Sequence, residues 1–146
     1  MQITHKKIIM IRNILSIVFG IVSSFIVILL IETIGHYISP PPVNFDLNKQ
    51  DELKTYIESA PAIVFIMVLI AYAVGSFIGG LVAALIATDN KNGKALTVGG
   101  ILLGLGVINL IMIPHPIWMI ILGLAVFIPF AYIGGKIGIK LTTKKI

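Results

Sequence analysis

The chain contains no cysteine. That excludes disulfides, thiolate metal sites and a cysteine nucleophile, and it leaves the redox compartment unread. Charge is also scarce: 12% of the 146 residues are Asp, Glu, Lys or Arg, against about 25% in ordinary soluble domains. Acids are the scarcer sign, six against eleven Lys and Arg, which leaves a formal net charge of +5. A soluble protein with that surplus would suggest nucleic acid. Here no basic face with interleaved aromatics exists, and nucleic-acid binding is not expected. The basic residues stand instead at the ends of apolar runs, where they set membrane topology. No phosphate-binding loop or dinucleotide fingerprint is present. The glycines lie inside apolar runs, where helix packing explains them.

What the sequence has in quantity is apolar surface. Hydrophobic residues make up 58% of it and the mean hydropathy is +1.06, a balance that takes a bilayer as solvent. The length suits one domain, residues 1–146 as a single transmembrane unit. The expected fold class is all-α, an integral membrane four-helix bundle with both termini in the cytoplasm. A short interfacial helix is expected in its external loop.

The first span is read over residues 8–38. A basic start, with Lys6, Lys7 and Arg12, precedes an uncharged run from Asn13 to Ile31. That run exceeds the ~7–15 residues of a signal-peptide core, and no small-x-small cleavage site follows, so an uncleaved span is expected. Its one acid, Glu32, comes near the end. Twenty positions after Arg12 correspond to about 30 Å of helix, so Glu32 belongs near the far boundary of the hydrocarbon. His36 is one turn further on and shares its face. Pro40, Pro41 and Pro42 then forbid continuation.

The loop 39–60 is the longest polar segment. Leu53, Tyr56, Ile57 and Ala60 recur at helical spacing, with Lys54 and Glu58 as an i, i+4 pair, which predicts the short amphipathic helix at the interface. The second span, about 60–88, is uncharged, with Ser59 as a candidate cap and Pro61 at its first turn. Gly75, Gly79 and Ala83 lie four apart, a spacing that lets backbones approach closely. They serve either a dimer face or contact within the bundle, and the second is the more economical. A polar turn over 89–94 leads to the third span, about 95–113, whose only amide, Asn109, needs a partner in lipid. Pro114-His115-Pro116 is a very short connection. The fourth span runs over about 117–139, with Trp118 and Tyr132 placed as an aromatic belt would place them. Pro129 is a candidate kink, and Gly134 and Gly138 form a second small-residue pair.

Ser23 and Ser24 fall in mid-span, where serine commonly bonds its own backbone. Nine basic residues fall at the N-terminus, the 89–94 turn and the C-terminal end, and only Lys49 and Lys54 in the 39–60 loop. The bias puts both termini in the cytoplasm. Glu32, His36 and His115 then share the external side.

The two halves echo each other. Phe77-Ile78-Gly79-Gly80 matches Tyr132-Ile133-Gly134-Gly135, and each of His36 and His115 follows a glycine, Gly20 and Gly99, by sixteen positions. A duplicated helical hairpin gives this pattern. So does chance matching of glycine-rich apolar segments.

An acid and two imidazoles at similar depth suit two roles. Glu32, His36 and His115 are candidate ligands for a divalent metal ion, or they form a proton-responsive cluster, since imidazole titrates near neutrality. Both readings compete with a structural one, in which Glu32 bonds His36 and His115 closes a turn. Asn109 joins them as a candidate of the same polar corner. No nucleophile accompanies the Glu-x-x-x-His pair, so no catalytic residue is assigned and an enzyme is the least supported class.

The Glu32-Thr33-Ile34-Gly35-His36-Tyr37-Ile38-Ser39-Pro40-Pro41-Pro42 corner, the acidic loop and the Gly-Gly second helix resemble a family of small, uncharacterised four-helix bacterial membrane proteins. The resemblance implies a topology and a location in the bacterial cytoplasmic (inner) membrane, and it carries no activity. Two functions therefore stand side by side. One is binding or transport of an ion or small solute at the external Glu/His corner. The other is a structural or accessory subunit that packs on itself or on a membrane-protein partner through Gly/Ala/Ser faces. The topology is directly testable because the chain is free of cysteine. Single cysteines at Asn48 and Asn90 are expected to react with impermeant maleimide from opposite sides of the membrane, and same-side labelling would end the four-span reading.

Overall fold

The computed structural model describes residues 2–42, 49–113 and 115–143. The loop 43–48, Pro114, Lys144 and Lys145, all part of the reading above, lie outside them. The described chain is helical throughout: α1 Gln2–Ile38, α2 Gln50–Ser59, α3 Ala62–Ile86, α4 Lys91–Met112 and α5 Ile117–Thr143. Four of these are long and apolar enough to cross a membrane. Each runs through one of the four apolar stretches read as spans.

The ends follow local chemistry. α1 closes on a last bond from Ser39 N to Gly35 O of 2.9 Å, and the three prolines follow. Ser59 does not cap α3. Its hydroxyl donates back to the carbonyls of Thr55 and Tyr56, so it finishes α2, and Pro61 takes the position before α3. α4 starts at Lys91, a turn before the expected 95. Asn90 adopts a left-handed conformation (φ 37°) and its side-chain oxygen accepts the Gly93 N–H at 3.2 Å, capping a turn that the polar composition had marked as loop. α5 runs through Pro129 and on to Thr143 rather than ending near 139.

Close approaches fix the arrangement. Gly20 and Ser24 of α1 meet Gly79 and Gly75 of α3, Gly99 of α4 meets Ala131 of α5, and Gly80 and Phe77 of α3 meet Ala131 and Gly134 of α5. These pairings run α1 and α4 in one direction and α3 and α5 in the other. α3 packs most extensively, against α1 and α5, while α1 and α4 touch least among the neighbouring pairs. Gly75, Gly79, Ala83, Gly134 and Gly138 are all buried. The glycines face helices of the same chain: a side chain at Gly79 would strike the Ser24 hydroxyl, and one at Gly134 the Phe77 carbonyl. The small-residue faces are thus used inside the bundle. Two glycines differ. Gly100 and Gly104 on α4 look out into open space.

The end carrying the N-terminus and the α3–α4 turn is stitched by polar bonds. Asn13 Nδ2 donates to Asp89 Oδ1 at 2.8 Å, and Asn13 Oδ1 accepts from the Thr88 backbone and hydroxyl, each at 3.1 Å. Arg12 donates to Ile86 O, and Lys91 to the Thr142 hydroxyl. Ser23 and Ser24 both donate to Gly20 O at 2.9 Å, which satisfies their hydroxyls locally.

Outward faces are apolar. Leu29, Leu30, Ile111 and Ile117 are 60, 59, 79 and 77% exposed, the surface that lipid covers in a bilayer. Gly134→Leu is expected to cost about 1–3 kcal/mol or more by forcing α5 off α3, seen as a lowered melting temperature in detergent. Gly104→Leu, into open space, is expected to leave the melt unchanged. Equal effects from the two would refute the assigned helix faces.

Candidate functional site

The same face of two parallel helices lines one cleft. Phe25, Ile28, Leu29 and Glu32 recur at three- and four-residue steps on α1, as do Leu102, Leu105, Gly106 and Asn109 on α4. Tyr72 from α3 and Phe127 from α5 close it behind, and the cavity measures about 190 Å³. Gly106 is required here: a Cβ on it would come within 2.6 Å of the Phe127 ring. That ring in turn packs on Tyr72, centroids 5.0 Å apart. Three polar side chains therefore enter an otherwise apolar space, each from a different helix. The Tyr72 hydroxyl donates to Asn109 Oδ1 at 3.4 Å, a long bond that supplies the partner Asn109 needs.

Glu32 makes no hydrogen bond or ion pair among the described residues. His36, exposed one turn later, acts on it electrostatically. The expected corner is divided. Glu32 and Asn109 share the cleft, whereas His115 lines a separate hollow of about 420 Å³ with Ile57, Glu58, Phe65 and Trp118. His36 lines neither. Among the described residues no three His, Asp or Glu side chains gather closely enough to hold a metal ion. The donor set Glu32, His36 and His115, expected from depth alone, is therefore not assembled. Depth follows from counting residues, but rotation about the helix axis does not. Tyr72 was missed for a related reason: a tyrosine in an apolar run marks no function until its neighbour is known.

His115 has a structural role in its turn. Its Nδ1 lies 2.6 Å from Ile113 O and donates to it in the matching tautomer. Its ring stands edge-on to Phe65, 6.5 Å away, and Phe65 in turn to Trp118. α2 reaches this hollow through Ile57, and its Lys54–Glu58 pair, 3.9 Å apart and exposed, adds little to stability.

Four long apolar helices point to a small integral membrane protein. Comparison with protein-family models, curated proteins and solved structures finds no match to the chain.

Burial holds the His115 imidazole below its ordinary value of 6.5, and the hydrogen bond to Ile113 O opposes that shift only in part. A depressed histidine disfavours the folded state once the unfolded chain binds the proton first. Stability is accordingly full above pH 6.5, falls as the pH drops through the folded midpoint, and is flat below it. An imidazole NMR titration is expected to place that midpoint under 6.5, and His115→Gln to flatten the acid side of the melting profile. A midpoint above the ordinary value would contradict the assigned burial.

Proposed function

We propose that the protein binds, and carries across the membrane, a small solute or ion at the cleft of Glu32, Tyr72 and Asn109. The observation that supports this is the convergence of three polar groups from three helices on one apolar cavity inside the spans. A carboxylate in apolar surroundings is costly. Structural carboxylates offset that cost with a bonded partner, and Glu32 has none among the described residues. The bias of basic residues favours cytoplasmic termini in a bacterial inner membrane, which would put the cleft in the outer half of the bilayer.

An accessory subunit is the second reading. Its support is narrower than the sequence suggested, because most small-residue faces are already covered. A partner would sit against Gly100 and Gly104 on α4, the two glycines that face open space.

Proteoliposomes under an imposed membrane potential test the first reading. The wild-type protein is expected to conduct protons or to couple them to solute uptake, and Glu32→Gln to reduce flux to that of empty vesicles. Equal flux from the two proteins, or none from the wild type beside stable co-purification of another membrane protein, would favour the accessory role.

A further inference from the structure

We propose that the cleft between α1 and α4 takes a small lipophilic cation, an alkyl- or arylammonium of about one ring, admitted sideways from the bilayer. This deepens the preceding reading and rests on it. Four observations combine.

Charge comes first. Glu32 is the one acid in the cleft, and no Lys or Arg lines it. Lys49 and Lys54 are engaged by Glu52 and Glu58 on α2. Tyr72 spends its only proton on Asn109, so its oxygen faces a guest as an acceptor only. A cation complements these acceptor atoms, while an anion meets the carboxylate.

The walls come second. Phe25, Phe127 and Tyr72 give aromatic surface, which attracts organic cations, and Leu29 and Leu105 give aliphatic surface. A Ca²⁺ or Mg²⁺ ion stripped of water needs about six or more oxygen ligands, and this lining does not supply them.

Size is third. At about 190 Å³ the space exceeds slightly the engineered cavity of about 150 Å³ that admits benzene. It falls short of the roughly 300 Å³ at which drug-sized pockets begin. One ring and a few further atoms fit.

Access is the fourth. The rim residues Phe25, Leu29 and Leu105 are 42, 60 and 42% exposed on the outward faces of α1 and α4. Those two helices have the sparsest contact of any neighbouring pair in the bundle. The mouth therefore opens where lipid lies, and a guest must be soluble there to reach Glu32.

Benzyltrimethylammonium is the probe, and neopentylbenzene is its uncharged isostere. In nanodiscs of zwitterionic lipid, radiolabelled probe is expected to bind saturably. Glu32→Gln should weaken it about tenfold or more, as loss of a charged partner implies. Leu105→Trp, which fills the mouth at a half-exposed position, should block it, with melting temperatures confirming that both variants fold. The hydrophobic dicyclohexylcarbodiimide should modify Glu32 and the probe should protect it, while a water-soluble carbodiimide should not react. If neopentylbenzene competes as well as the cation, the space is an apolar filler site for an acyl chain, and the inference fails. If only the water-soluble carbodiimide reaches Glu32, entry is from water and the inference fails, with the Glu32 site itself intact. No probe binding together with unchanged flux in Glu32→Gln would defeat both readings.

Discussion

Lipid tails are as apolar as leucine, so helices in a bilayer gain little by hiding apolar side chains from them, and contact density holds a bundle together. Here that contact is concentrated where α3 meets α1 and α5. Gly20, Ser24, Gly75 and Gly79 bring α1 onto α3, and Gly80, Ala131, Gly134 and Gly138 bring α5 onto its other side. Several of these approaches are backbone to backbone, with no room for a single added carbon. α1 and α5 do not pack closely on each other, and α3 makes the most extensive connection between them.

Residue size changes along the bundle, and the cleft of Glu32 lies toward its larger-residue end. Toward the end that holds the α3–α4 turn, the buried residues are Ser16, Ala83, Ala84, Ala87 and Ala95 with the glycines. Toward the other end Phe65, Tyr72, Met119 and Phe127 are buried, beside Ala71, Gly106 and Gly123. Helix separation depends on the side chains at the contact. Small residues draw the helix backbones together at one end, where Asn13, Asp89 and Thr88 add hydrogen bonds. Aromatic rings wedge the other end, and the cleft of Glu32 and the hollow of His115 lie there.

This division explains what the sequence made legible. Hydropathy located all four spans, because a long uncharged run has few alternatives to a membrane helix. It misplaced ends set by one side chain, as at Asn90. Polar exceptions inside apolar runs singled out Glu32 and Asn109, and both entered the same cleft. The same reasoning grouped His115 with them, whereas the fold places it in a separate hollow, since shared depth leaves the angle about the axis open. Adjacent helical positions differ by about 100°, so two residues at one level can face opposite ways. Tyr72 shows the converse. Its position in α3 was plain, but only the fold joins its hydroxyl to Asn109.

The cleft is therefore a property of the assembled bundle and of no smaller part. α1 with α3 brings Glu32 near Tyr72 but leaves it without the wall of Leu102, Leu105 and Asn109. α4 with α5 brings Asn109 near Phe127 but holds no acid in its spans. If the halves did arise by duplication, the copies have since diverged where it matters chemically: α1 keeps a carboxylate at the cleft and α4 presents an amide. A two-fold site with two acids would repel itself in a low dielectric. One acid opposite one amide leaves a single carboxyl group, with hydrogen-bonding groups across from it, in a space whose remaining walls are apolar.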